Sequence, residues 1–336
     1  MAISLRTPLF LCSLILSIAS PACAEEGTLR ERIRERRAER QQQKAEAVQP
    51  VTTAGDYSFS LVHGGLTRKY LVHVPKGYDP NRAAPVLVAL HGGGGNMEFQ
   101  ADDANYGLIT KSESASFIAV FPNGYSPFPG GKLATWNAGN CCGASRDKDI
   151  DDVGFVRAVV AQVQLRLNVD ATRIYATGMS NGGMLAHRLA CEAADVFAGV
   201  AAVAGTDNTR SCTPSRPIPV LQVHARNDDH VLFEGGAGPN AFRDESKVTA
   251  FTSVPETIAR WSKRNGCSGT PSRGLEVPGA YCERQSNCSG GAPVQLCVTD
   301  TGGHSWPGAA RVRGSKAPAS KALSANDVMW DFFARR

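Results

Sequence analysis

The segment Gly178-Met179-Ser180-Asn181-Gly182 fits the pattern G-x-S-x-G, in which a serine stands on a tight turn between a strand and a helix. A serine hydroxyl is a poor nucleophile until an imidazole takes its proton, and that imidazole needs a carboxylate to fix its tautomer and stabilise its charge. His230 and His304 are the candidate bases. His304 is preferred because it lies in TGGHSWPG, a loop directly after the apolar run PVQLCVTD, whereas His230 is only two residues from the best acid candidate. The acid is expected after the run PVLQVHA, where Arg226-Asn227-Asp228-Asp229 offers adjacent carboxylates; Asp228 is the first choice, Asp229 the second and Asp207 the third. An acyl carbonyl under attack also needs preorganised N–H donors for the charge that develops on its oxygen. The run His91-Gly92-Gly93-Gly94-Gly95 follows PVLVAL, so the backbones of Gly93 and Asn181 are the expected donors and His91 is read as structural. The glycine run lacks the Gly-Lys-Ser/Thr ending of a phosphate-binding loop.

These residues must be held by a scaffold of alternating strands and helices. SFSLVHGGLTRKYLVHVP alternates apolar and polar residues around Gly64-Gly65 and predicts a hairpin with Phe59, Leu61, Tyr70, Val72 and Val74 facing inward. PVLVALHG, FIAVFPNG, RIYATGMS, FAGVAAVAG, PVLQVHA and PVQLCVTD are short apolar runs closed by glycine or polar residues, as in buried strands. Between them lie helical patterns, including Val156, Val159, Val160, Val163 and Leu167 on one face, and NGGMLAHRLAC after the serine. Ser324 with Asp327 marks the start of a last helix. Such alternation predicts a mostly parallel sheet with helices on both faces and ligands beyond the carboxyl ends of the strands, and with G-x-S-x-G set between a strand and a helix the expected architecture is a single catalytic domain of the α/β-hydrolase fold.

The 336 residues hold 36 Lys and Arg against 31 Asp and Glu, a balance that gives no field for nucleic acid. Residues 1–24 carry Arg6 before an apolar stretch from Leu9 to Ala19 and end in Ala22-Cys23-Ala24, the pattern of a cleavable signal peptide. The stretch is shorter than the ~18–20 residues of a membrane span. Export to the periplasm or the medium is therefore expected, with lipid attachment at Cys23 the minor alternative. Residues 25–54 are rich in Glu and Arg at helical spacing and lack an apolar face, so they are expected to be a solvated helix or a disordered tether, with the catalytic domain at 55–336. Removing the signal leaves eight cysteines, and an even number in an exported chain suggests disulfides, with Cys191–Cys212 and pairs among Cys267, Cys282, Cys288 and Cys297 expected. No C-x-x-C pair or close His pair points to zinc, and no metal or organic cofactor is expected.

LHGGGGN, FPNG, TWNAGNCCG, DDVGFVRAVV, TGMSNGGMLAHRLAC and GGHSWPG together resemble the esterase family of secreted polyhydroxybutyrate depolymerases and feruloyl esterases, from about Tyr57 to Phe333. The resemblance implies a triad of Ser180, Asp228 and His304, and a substrate cleft bordered by Trp136 and Trp306, with the vicinal Cys141-Cys142 stiffening its rim. Two departures bear on the acid: the family's HGxxD stands here as His224-Ala225-Arg226-Asn227-Asp228, and the proline that often follows is Asp229. The resemblance implies hydrolysis of short acyl, hydroxyacyl or feruloyl esters through an acyl-enzyme. The partner is then an ester substrate: a small molecule, an oligomer or a polysaccharide-linked ester, with soluble esters ahead of polymer because no separate binding domain is read from the chain. The rival readings are a silent binding protein on the same fold and an acyltransferase.

Overall fold

A computed structural model describes residues 49–241, 249–312 and 318–334. The expected signal peptide and nearly all of the charged segment lie outside these residues. The compact unit runs from Pro50 to Arg336. It begins before Gly55 because Val51 is buried and donates its N–H to the Arg166 carbonyl at 2.8 Å.

The predicted hairpin is β1 (Gly55–His63) and β2 (Leu66–Val74), with His63 opposite Leu66 across the glycine turn. Tyr70, Val72 and Val74 are buried, while Phe59 and Leu61 are half-buried at the sheet edge. The apolar runs form β3 (Ala84–Leu90), β4 (Ile118–Pro122), β5 (Val169–Met179), β6 (Gly199–Val203), β7 (Val220–Ala225) and β10 (Val294–Thr299). The strand β5 extends to Val169, further back than the apolar run suggests, through polar residues that are mostly exposed. Unforeseen in the sequence is the hairpin of β8 (Ser272–Val277) and β9 (Ala280–Gln285), whose outer strand is mostly exposed and carries no clean alternation of apolar residues.

These strands make one 10-stranded sheet in the order β1-β2-β4-β3-β5-β6-β7-β10-β9-β8. The block from β4 to β10 is parallel, and each edge is an antiparallel hairpin. Alternate residues of a strand face opposite sides. Val86, Val88 and Leu90 of β3 therefore join a core with α5 (Asp152–Arg166), α6 (Asn181–Glu192) and α7 (Val254–Arg264). Leu87 and Ala89 join the opposite core, with α1 (Met97–Ala101), α2 (Asp103–Tyr106), α3 (Leu108–Ala115) and α8 (Ala325–Ala334). Between them, α4 (Gly143–Asp147) follows the double cysteine. Two packed faces leave the loops at the carboxyl ends of β3, β5, β7 and β10 as the place where polar side chains can meet.

The fold is cross-linked by four disulfides, Cys141–Cys142, Cys191–Cys212, Cys267–Cys288 and Cys282–Cys297, the last joining the paired strands β9 and β10. No helix among the described residues is long and apolar enough to cross a membrane.

Candidate active site

Ser180 sits between β5 and α6 with φ 55° and ψ −123°, a combination L-residues rarely adopt, which holds the side chain out at the apex of the turn. The flanking glycines are steric necessities. A Cβ on Gly178 would collide with the Gly182 backbone, and one on Gly182 would collide with the Leu90 and His91 carbonyls. The turn therefore packs directly against the glycine loop after β3.

That loop is fixed by His91. Its Nε2 accepts the Gly124 N–H at 2.9 Å, so Nδ1 carries the proton and donates to the Gly92 carbonyl at 2.8 Å. The ring is fully buried and structural. The N–H groups of Gly93 and Asn181 have no acceptor among the described residues, and both residues line the cleft that contains Ser180. They are adjacent, since a Cβ on Gly93 would lie 3.5 Å from the Asn181 Cβ.

The segment Thr135-Trp136-Asn137 brackets this region. The Asn181 side chain accepts the Trp136 N–H at 2.7 Å and donates to its carbonyl at 2.9 Å, while the Trp136 indole N–H donates to the His91 carbonyl at 2.9 Å. Trp136 is therefore fully buried and stands behind the cleft rather than on its wall, which corrects the expectation from the resemblance. Its indole N–H is spent on tying the serine turn to the glycine loop. Trp306 does line the cleft, packed edge-on to Tyr106 with ring centroids 5.3 Å apart.

Asp228 and His304 follow the carboxyl ends of β7 and β10, paired parallel strands. His304 Nδ1 lies 2.9 and 3.1 Å from the two Asp228 carboxylate oxygens. An ionised carboxylate only accepts, so Nδ1 is the protonated nitrogen and Nε2 keeps its lone pair. Asp228 Oδ1 also accepts the N–H groups of His230 and Val231 at 2.8 and 2.9 Å. Burial alone would push this carboxyl up, but the His304 charge and hydrogen bonds from His224 and His304 hold it far below the ordinary carboxylate range. The other acid candidates point elsewhere. Asp229 meets His230 Nδ1 at 2.7 Å and the Asn240 amide at 2.7 Å. Buried Asp207 pairs with Arg264 at 2.5 Å and accepts the Thr209 N–H and hydroxyl, so its carboxylate serves the loop after β6.

Ser180, His304, Gly93 and Asn181 thus share one cleft of about 810 Å³. On one side its wall is apolar and aromatic, with Phe99, Tyr106, Met179, Trp306 and Val312. His230 was set aside in the sequence as too near the acid. It lies parallel to His304 with ring centroids 4.4 Å apart and lines the same cleft. Asp228, His230 and His304 bring ligand-type atoms within 4.8 Å of one another, but His304 and Asp228 are already bonded to each other and His230 Nδ1 to Asp229. Equally hidden in the sequence was Asp152 of DDVGF, fully buried, which binds Arg68 at 2.7 Å, the Asn137 N–H at 2.8 Å and the Ser145 hydroxyl, and so anchors the TWN segment.

Residues 68–245, more than half of the chain, match the family described as esterase PHB depolymerase. The chain belongs to that family, one of carboxylic ester hydrolases. Among relatives of this esterase, feruloyl esterase C of Emericella nidulans is 30% identical over 274 residues, 79% of this chain and 83% of that protein. Feruloyl esterase B of Piromyces equi is 33% identical over 246 residues, 70% of this chain, which spans only 42% of that longer protein. The acetyl xylan esterase from Aspergillus awamori shares the fold, with a TM-score of 0.55 at 14% identity over 83% of this chain and all of that one. Its likeness agrees with the α/β-hydrolase architecture expected from the sequence.

Proposed function

We propose that this protein is an exported serine esterase that works through an acyl-enzyme, with Ser180 as nucleophile, His304 as general base and acid, and Asp228 as the carboxylate that orients the imidazole. The observation that carries the reading is the Asp228–His304 pair, bonded at 2.9 Å and opening on the cleft of Ser180. In the first step His304 Nε2 takes the Ser180 proton as Oγ bonds to the ester carbonyl carbon. The oxyanion is received by the N–H groups of Gly93 and Asn181. Collapse returns the proton from His304 to the leaving alcohol, and water repeats the sequence on the acyl-enzyme to release the acid and free Ser180.

The aromatic wall of Phe99, Tyr106 and Trp306 supports esters of an aromatic acid, of the feruloyl type, ahead of short acyl and hydroxyacyl esters. Feruloyl esterases among the relatives support the same order. Export is supported by the disulfides, which persist in oxidising compartments, and by the signal-like first 24 residues. The test compares the mature chain with Ser180→Ala on methyl ferulate, p-nitrophenyl butyrate and hydroxybutyrate oligomers. Turnover by the wild type alone, greatest on methyl ferulate, is expected. Equal turnover by both proteins, or no labelling of Ser180 by a serine-directed phosphonate, overturns the reading. Transfer of the acyl group to an added alcohol, in place of free acid, would make it an acyltransferase.

A further inference from the structure

Behind Asp228 lies a line of polar side chains that the proposed reaction does not use. Gln222 and His224 stand in phase on β7, a strand otherwise made of Val, Leu and Ala, and face α6 and α7. The Trp261 indole N–H meets His187 Nδ1 at 2.9 Å, and His187 Nε2 meets Gln222 Oε1 at 2.9 Å. Next, Gln222 Nε2 meets His224 Nδ1 at 3.1 Å. Finally, His224 Nε2 lies 2.8 Å from the Val231 carbonyl and 3.3 Å from Asp228 Oδ2. All six residues are buried.

The direction of this chain is fixed at both ends, by a donor-only indole at one and by the acceptor-only Val231 carbonyl and Asp228 carboxylate at the other. An indole nitrogen can only donate, so His187 Nδ1 must accept and Nε2 carries the proton. That proton goes to the Gln222 oxygen, which turns the amide nitrogen toward His224 Nδ1. His224 is left with its proton on Nε2, aimed between the Val231 carbonyl and Asp228 Oδ2. The two backbone donors occupy Oδ1, so Oδ2 is the oxygen shared by His224 and His304. Reversing the line would set the indole N–H against a protonated His187 Nδ1 at one end, and a His224 lone pair against the Val231 carbonyl and a carboxylate at the other.

We propose that His224 is a positioning residue for the esterase reaction, and that Trp261, through His187 and Gln222, reinforces the tautomer in which it donates to Asp228. The proposal rests on the triad of Ser180, Asp228 and His304. The titratable side chains near Asp228 are His304, His224 and His230, the last with a ring nitrogen within 4.8 Å and held by Asp229. A carboxylate that loses a donor keeps a proton more firmly on its imidazole partner and is aimed less well, so turnover falls and the acid limb of kcat/KM moves to higher pH.

The experiment measures kcat, KM and the pH profile of p-nitrophenyl butyrate hydrolysis for the mature wild type, His224→Phe, His224→Gln, Trp261→Phe and Asp228→Asn. His224→Phe is expected to lose about tenfold in kcat, the scale of one hydrogen bond to a charged group, at unchanged KM and with the acid limb shifted upward. In His224→Gln the amide nitrogen can take the place of Nε2, and most of the loss is recovered. Trp261→Phe keeps the ring but not the N–H and shows the same changes, smaller in size; if His224→Phe does not fold, it decides alone. Wild-type kcat and acid limb in both His224→Phe and Trp261→Phe, with Asp228→Asn inactive, overturn the relay and leave the triad standing. Wild-type turnover by Asp228→Asn overturns the triad and the relay with it.

Discussion

Replacing Asp228 with asparagine separates the acid candidates by tautomer rather than by bulk. Oδ1 receives two backbone N–H groups, from His230 and Val231, which cannot turn away. The asparagine oxygen must therefore take the Oδ1 place, and its NH₂ group faces His304 Nδ1 from the Oδ2 position, 2.9 Å away. Facing a donor, Nδ1 becomes the acceptor, and the proton moves to Nε2, where it blocks transfer from Ser180. Two losses combine. A carboxylate about 4 Å from the imidazolium charge is worth about 4 kcal/mol at an effective dielectric of ~20. Forcing the unproductive tautomer adds roughly 1–2 kcal/mol, the scale of one hydrogen bond. Together these slow kcat by roughly 10⁴-fold, since each ~1.36 kcal/mol is tenfold. Initial rates on p-nitrophenyl butyrate measure it, with KM expected to stay within about twofold because Asp228 does not reach the substrate. Asp229→Asn, whose carboxylate serves His230 and Asn240, should keep kcat within a few fold. More than about a tenth of wild-type kcat in Asp228→Asn, or the large loss in Asp229→Asn, would refute the tautomer argument.

Three other outcomes follow from the same geometry. Burial pushes His187 down first of all, so the folded chain refuses a proton that the unfolded chain takes below about pH 6.5. Stability should therefore fall as the pH drops from 7.5 to 5.5, with a slope of up to about 1.4 kcal/mol per unit, whereas the depressed carboxyls of Asp228 and Asp207 withdraw support only below about pH 4; a flat urea-unfolding profile would show His187 protonating inside the fold. Arg68→Met strands the buried Asp152 carboxylate and should cost about 3–5 kcal/mol in the same assay, and a loss below about 1 kcal/mol would mean that Asn137 and Ser145 suffice for it. Trp136→Phe removes one bond to His91 and should lower stability by about 1 kcal/mol without moving KM, while Trp306→Phe, on the cleft wall, should change KM for methyl ferulate several-fold; a shift in KM from Trp136→Phe would place its ring on the cleft after all.

The parallel strands were legible because each had to be apolar on both sides, and runs such as PVLVAL and FIAVFP leave no other place for them than inside a covered sheet. The hairpin of β8 and β9 was not, because an exposed edge strand has no core to enforce a pattern; the Pro278-Gly279 pair at its turn was the available signal. Ser180 and His304 were readable as candidates from local patterns after strands, and which of Asp228 and Asp229 meets His304 needed the third dimension. Adjacent residues leave a loop in different directions, and only the structure has one of them meeting His304 and the other His230.

What sequence reasoning missed is polar and buried, and it has a common origin. Trp136 looks like rim chemistry when taken singly, and for Asp152, Gln222 and His224 no local pattern says which buried group each will meet. Their partners lie far off in the chain: His91 for Trp136, Arg68 for Asp152, His187 for Gln222. For Gln222 and His224 a local sign existed. Two polar residues at i and i+2 in a strand that must be buried on both faces point to the same side, and a buried polar group needs a partner. Such a pair predicts a hydrogen-bonded line through the core on that side of the sheet. Because β7 ends at the acid loop, the line has one place to lead: to the carboxylate of Asp228.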